Sequence, residues 1–360
     1  MLIAYLLAFF NPAVRSLRLI EDLSQIPAIK QHLSVDAVRK STLSDANALF
    51  DPNHLLPLIE RLRQKVPDLE HGDRDLAKLL DKVIAIDGSF FKLAADVDWA
   101  LNKSNAYGGS RYVRLNLAYS LRSGQSSGCI ISGDDGRHEA TIAVSFIEAD
   151  QIYLFDSGVV SFELLRTIKE RGSDFVCCLR EEVNFQCHEQ RVLDDKAKDA
   201  GVISDCVGEL TGSPCRTPPP GQYREVRVAY TDRHGKPRTL RLLSSLLDTP
   251  AHVIAALYKQ RWQIELYFRW LKVHANFRHL TSHSSNGVTL SFYVAVIAQL
   301  LISLHTQLPM NRYGMSMLSL VAAGVADVED ILPILEKRHR ERLMERNRLA
   351  KKRAAKKTKA

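Results

Sequence analysis

Cysteine is sparse in this chain: six residues in 360, at positions 129, 177, 178, 187, 206 and 215. That density excludes a disulfide scaffold of the kind that holds small secreted domains together. Cys187-His188, Cys206 and Cys215 lack the paired C-x2-C spacing of a structural zinc site, so none is expected there. Cys177 and Cys178, inside the strand-like run DFVCCLR, are expected to be reduced and buried. No internal repeat is visible, and with 46% hydrophobic and 25% charged residues the composition excludes a disordered chain. Signal-peptide character is missing too: MLIAYLLAFF at the N-terminus has no basic flank and is cut off by Asn11-Pro12. The run Gly287 to Leu304 has about the minimum spanning length but carries Thr289, Ser291, Gln299 and Ser303. It is expected as a buried core helix, and the protein as cytoplasmic with no membrane partner.

What is plentiful is positive charge, and it is concentrated. Lys337 to Ala360 holds twelve Lys or Arg against two Glu, a net +10, so the rest of the chain is slightly acidic within the overall +8. Such a block is expected to form a mobile arm with a polyanion such as DNA as its partner, a plain solubilising tail being the alternative.

Residues 1–80 read as a helical N-terminal region, with helical apolar spacing in PAVRSLRLIEDLSQ, SDANALFDPNHLLPLIERLRQKV and HGDRDLAKLLDK. Residues 81–180 read as the first part of an α/β core. KVIAIDGSF is a buried strand ending at Asp87-Gly88, and RYVRLNLAYSL is a half-buried strand with HEATIAVSFI as a candidate neighbour. QIYLFDSG is a strand ending on Asp156, followed by an amphipathic helix that stops at Gly172. Residues 181–247 form a β-rich insertion, 248–330 the second part of the core and 331–360 the basic tail. The expected class is α/β with an inserted, mostly β segment.

The stretch YKQRWQIELYFRWLK, Tyr258 to Lys272, carries the sharpest signal. On one helix, Tyr258, Arg261, Glu265 and Lys272 share an arc of about 60°. Leu257, Ile264, Phe268 and Leu271 form an adjoining apolar stripe that can dock on a sheet. A solvated charged face is the ordinary reading of such an arc. Here the polar arc borders the buried stripe, and aromatics interleave with cations as they do where a nucleic-acid strand is held. Trp262 lies off this arc and fits either a base-stacking role or core filling. Asp87 and Asp156 at two strand ends, with Glu265 on a helix packed against the same sheet, are the oxygen donors that two hard divalent cations require for phosphodiester chemistry. Asp150 and Asp98 are alternative ligands in less favourable settings.

These residues resemble the DDE transposases of bacterial insertion sequences. The spacing Y-x2-R-x3-E-x6-K, complete at Tyr258, Arg261, Glu265 and Lys272, resembles the insertion-sequence-four group within them. The resemblance covers roughly residues 85–304 and implies a ribonuclease H-like core: a mixed five-stranded sheet with flanking helices, interrupted before the glutamate helix. It implies that Asp87, Asp156 and Glu265 ligate two Mg2+ or Mn2+ ions for cleavage of the element's ends and strand transfer into target DNA. It also implies that Tyr258, Arg261 and Lys272 hold the DNA backbone, that Trp262 stacks on a flipped base, and that the protein acts on double-stranded DNA as a homodimer. The family's usual Arg-Gly-aromatic stretch after the second aspartate is replaced by Ser157-Gly158-Val159. The abrupt apolar start is what a shortened N-terminal DNA-binding region would leave. Two further readings stay open: a transposase-derived DNA-binding protein without catalysis, and a Mg2+-dependent nuclease that never joins ends.

Overall fold

The computed structural model describes residues 2–10, 14, 16–30, 33, 37–66, 74–93, 97–105, 108–133, 137–211, 217–232, 234–273, 280, 282–308, 312–322 and 325–357. Two compact units emerge: Met1–Pro67 with Trp270–Ala360, and Asp68–Arg269. The first begins with α1 (Leu2–Phe10), α2 (Leu17–Ser24), α3 (Pro27–Lys30), α4 (Lys40–Leu49) and α5 (Leu56–Arg63). The helical spacing from Ser44 to Val66 is interrupted at Asp51-Pro52. Asp51 accepts from the Asn53 N–H at 2.9 Å, and Pro52, lacking an N–H, starts a 3-10 turn instead of continuing α4.

The second unit opens with α6 (Arg74–Leu80), β1 (Val83–Lys92), β2 (Leu101–Asn105), β3 (Gly108–Ser120) and β4 (Gln125–Ser132), then α7 (Glu139–Val144), β5 (Ile152–Phe155), α8 (Phe162–Glu170) and β6 (Asp174–Cys178). β1 lies antiparallel to β3 and parallel to β5, and β5 is parallel to β6. The order β4-β3-β1-β5-β6 is the mixed five-stranded sheet that the ribonuclease H resemblance implies. HEATIAVSFI, expected as a strand, is α7. Ile142 and Ala143 of this short helix are buried, and Phe146 and Ile147 follow in the turn beyond it. The strand that pairs with β3 is instead QSSGCIIS, β4, whose serines and glycine hide a strand pattern.

Next come β7 (Asn184–Gln190), α9 (Asp195–Asp199), β8 (Val202–Thr211), β9 (Tyr223–Thr231) and β10 (Pro237–Ser244). Their antiparallel ladder joins β6 through β10, so this segment extends the same sheet to ten strands. Cys187 on β7 and Cys206 on β8 form a disulfide with Cα atoms 5.9 Å apart, a single cross-strand link that their separation in sequence does not announce. Cys129, Cys177 and Cys178 are free, and Cys215 lies outside the described residues.

All four residues of β5 are buried, as a parallel strand covered on both faces should be. Phe175 of β6 sits between Phe155 and Tyr223, with ring centroids 6.2 and 5.9 Å away. The Tyr153 hydroxyl accepts from the Glu148 N–H at 2.6 Å and donates to the Phe146 carbonyl at 3.1 Å. Tyr153→Phe removes both bonds and is expected to cost about 1–2 kcal/mol in urea unfolding.

The chain closes with α10 (Ala251–Gln260), α11 (Trp262–Val273), α12 (Ser285–Thr306), α13 (Arg312–Ala322) and α14 (Val328–Lys357). Among the described residues α12 is the one helix long and apolar enough to cross a membrane, and most of its apolar window is buried inside the protein. It packs on α1, α4 and α5. Ser284 caps it, accepting from the Gly287 N–H and donating to the Asn47 carbonyl, each at 3.0 Å. The basic block is helical through Lys357, as part of α14. Its Leu, Met, Ala, Lys, Arg and Glu are strong helix formers, the pairs Arg338–Glu341 and Arg348–Glu345 relieve repulsion, and Arg338 and Arg342 stack on Tyr313 of α13.

Candidate active site

β1 does not end at Asp87. It continues to Lys92 because β3 remains its partner, with Asp87 opposite Leu117 and Gly88 opposite Asn116. What ends near Asp87 is the pairing with β5, which covers Val83 to Ala85 in the register Ala85–Leu154. Carried on by two residues, that register sets Asp87 beside Asp156, the first residue beyond β5. Since side chains alternate along strands, the two carboxylates leave the sheet on the same face. A gap opening beside a central strand is what turns two buried-strand sequences into a site.

The loop after Asp156 is well supported. The Gly158 N–H donates to Asp156 Oδ1 at 2.5 Å, Arg180 Nε donates to the Ser157 carbonyl at 2.8 Å, and Val159 is buried in the core. Ser157-Gly158-Val159 therefore supports the aspartate through its own backbone. Asp150 is instead engaged with Lys82 at 2.5 Å in an exposed ion pair.

Tyr258 to Lys272 is two helices rather than one. The Arg261 N–H reaches the Tyr258 carbonyl at 3.0 Å and the Ile264 N–H reaches the Arg261 carbonyl at 3.2 Å, a 3-10 turn between α10 and α11. Leu257, Ile264, Phe268 and Leu271 are buried, as the apolar stripe requires. The Arg261 side chain, only 14% exposed, donates from Nη2 to Glu265 Oε1 at 2.6 Å and lies 3.9 Å from Asp87 Oδ2 through Nη1. Its guanidinium stands 5.6 Å from the centre of the Tyr258 ring. Its Nε is buried with no hydrogen-bond partner. Burial raises the Tyr258 hydroxyl above its ordinary range, with Cys178 adding to the effect. Trp262 is 49% exposed, so it is not core filler. Lys272, in the last turn of α11, belongs to the other unit.

The structure thus brings Asp87, Asp156, Arg261, Glu265 and Tyr258 into one electrostatic neighbourhood. Among the described residues, no three His, Cys, Asp or Glu side chains stand close enough to hold an ion, and the Arg261 guanidinium lies against both Asp87 and Glu265. Burial pushes the Asp87 carboxyl up to about 6. The Gly88 amide and Arg261 pull it down, and the negative charges of Glu139 and Asp156 push it further up. Glu139 was not singled out in the sequence. Its carboxyl is also raised, chiefly by burial, with Arg114 and the Gly88 N–H opposing and Asp156 reinforcing. These are hard, anionic oxygen donors with their charge under-compensated, which fits a divalent cation of the Mg2+ or Mn2+ kind.

Residues 78–301 match the family described as the transposase DDE domain. The chain is 31% identical over 185 residues to a Sinorhizobium fredii protein bearing a transposase name (y4zB), covering 51% of this chain and 49% of that protein. It is 27% identical over 198 residues to a Geobacillus stearothermophilus protein named for transposition of insertion sequence element IS5377, covering 54% and 50%. Over 51 residues it is 39% identical to a Synechocystis protein named for element IS4SA, covering 14% of this chain and 15% of that protein. The chain spans about half the length of the first two relatives.

Proposed function

The chain belongs to the DDE transposase family, and on that premise we propose that it cuts the ends of an insertion sequence and transfers the freed strands into target DNA. The observation that carries this reading is the register that sets Asp87 beside Asp156 on one face, with Glu265 tied to Arg261 against Asp87. Asp87, Asp156 and Glu265 would hold two Mg2+ or Mn2+ ions. When bound, such ions activate the attacking oxygen and neutralise charge on the scissile phosphate. The Y-R-E-K spacing supports placement in the insertion-sequence-four group.

The protein's own groups do the positioning. Arg261 keeps a buried donor, Nε, without a partner and is suited to a phosphate oxygen. With Asp87 and Glu265 engaged as metal ligands, the guanidinium would be free to exchange its carboxylate partners for the DNA backbone. Tyr258 flanks that guanidinium, and Lys272 adds a phosphate contact further along the glutamate helix. Trp262, exposed beside Arg261, stacks on a base drawn out of the duplex. Trp262→Ala should weaken binding to end-sequence DNA by about 1–3 kcal/mol in fluorescence anisotropy, with the fold unchanged in circular dichroism.

The partner is double-stranded DNA, both element ends and target, bound by a homodimer in the bacterial cytoplasm. The test is incubation of the purified chain with Mg2+ and duplexes carrying the DNA that flanks its gene, where terminal inverted repeats are expected, beside a second, target plasmid. Joined products with 3′-ends inserted in the target are expected. Cleavage without joining would leave a nuclease, and DNA binding without cleavage would leave a binding protein.

A further inference from the structure

Beside Asp87, a side chain at position 88 of β1 would displace the Glu139 carboxylate. A Cβ on Gly88 would lie 2.3 Å from Glu139 Oε1 and 3.2 Å from Asn116 Oδ1. The Gly88 N–H donates to Asp87 Oδ1 at 2.8 Å, and the same N–H lowers the Glu139 carboxyl. One donor therefore serves two carboxylates.

Asn116 supplies an independent observation. It is 98% buried on β3, directly opposite Gly88, and its orientation is fixed by its amide nitrogen. Nδ2 donates to the Ile130 carbonyl and Ser132 Oγ, both at 3.1 Å, and more weakly to the Arg114 carbonyl at 3.4 Å. Oδ1 is thereby turned toward Gly88, where it has no hydrogen-bond partner. A buried carbonyl oxygen left without a donor is costly. The point beside Gly88 thus collects a glutamate oxygen and an orphaned amide oxygen on the face of β1 opposite the Asp87 side chain, one residue along from it. The charged groups that act on Glu139 are Arg114 and Asp156, and it acts in turn on Asp87.

We propose that Glu139 is a further ligand of the divalent-cation site, reaching the cation from the Gly88 face of β1 through the gap that opens beside that strand, with Asn116 Oδ1 as a neutral oxygen on the same face. Two carboxylates, an amide oxygen and water form the all-oxygen set that Mg2+ and Mn2+ accept. The assignment rests on the metal-dependent reading above and adds a ligand from α7, an element outside the aspartate strands and the glutamate helix.

The test is Mn2+ binding to the full-length, DNA-free protein, with free Mn2+ read by electron paramagnetic resonance. Wild type, E139Q, G88A and D156N are compared, and metal-free melting curves establish that each folds. E139Q removes a partly buried charge and should melt no lower than wild type. E139Q is expected to raise the Kd for Mn2+ at least about tenfold. G88A keeps every carboxylate but displaces Glu139, and it should move the same way. Wild-type affinity in E139Q, with D156N weakened, overturns the proposal and leaves the two-aspartate site standing. Weakening in E139Q with D156N unchanged supports Glu139 and removes Asp156. No Mn2+ binding by the wild type overturns the metal site altogether, Glu139 included.

Discussion

Asp87→Asn should abolish divalent-cation-dependent DNA cleavage and, in the same protein without metal, raise stability. The loss of activity should exceed about a hundredfold, because disturbing even the outer partners of metal ligands costs about 10–100-fold. The gain in stability follows from the carboxyl's environment. Its value is raised by burial from 3.8 unfolded to about 6 folded, so the folded protein binds the proton more tightly. The associated stability is present below pH about 4 and is lost as pH rises through about 6. At neutral pH the charged, 20%-exposed side chain therefore costs about 2–3 kcal/mol. Asparagine avoids that cost and can still accept from the Gly88 N–H. Urea unfolding of the metal-free pair at pH 4 and pH 7 reads this directly: the variant's advantage should be small at pH 4 and near its full size at pH 7. Mg2+ should stabilise the wild type at pH 7 and leave the variant unmoved.

The second large effect lies away from the chemistry. Arg224 on β9 and Asp205 on β8 form an ion pair whose side chains are each 4% exposed, with Nε to Oδ1 at 2.6 Å and Nη2 to Oδ2 completing a bidentate contact. Arg224 Nη1 also donates to the Leu247 carbonyl at 3.2 Å and to that of Thr249. These last bonds tie the inserted strands to the segment that leads into α10, and so to Arg261 and the glutamate helix. Arg224→Met leaves a buried carboxylate and the Thr249 carbonyl without their donor, while the Leu247 carbonyl keeps Arg191. It should cost about 3–5 kcal/mol in thermal or urea unfolding. Replacing both partners, as Arg224→Met with Asp205→Leu, should recover much of that loss, because the uncompensated charge goes with the pair.

The sheet's parallel centre was legible in the sequence because IAI, IYLF and FVCC are short apolar runs bounded by polar residues or turn signals. α8 was legible from its amphipathic spacing and from Gly172, which takes φ +68 as a helix-ending glycine does. β4 was not, since QSSGCIIS has too little alternation, and α7 was not, since six residues with β-prone Thr and Ile read equally as a strand. The Cys187–Cys206 link depends on a cross-strand register no local pattern encodes. At the site, spacing alone pointed to Tyr258, Arg261, Glu265 and Lys272. The 3-10 turn that carries Arg261 inward, the register that sets Asp87 by Asp156, and the approach of Glu139 to Gly88 are products of long-range pairing. Glu139 left no trace in the sequence, because the segment that carries it, α7, reads there as a strand.

Iron-dependent hydroxyl-radical cleavage of the polypeptide tests the shared metal site most directly. Fe2+ substituted for Mg2+ in the full-length protein, with ascorbate and peroxide, should cut the backbone beside residues 87, 156 and 265, and excess Mg2+ should suppress all three cuts together. Cuts confined to one of these segments, or a pattern that Mg2+ does not suppress, would contradict a common site for the three carboxylates.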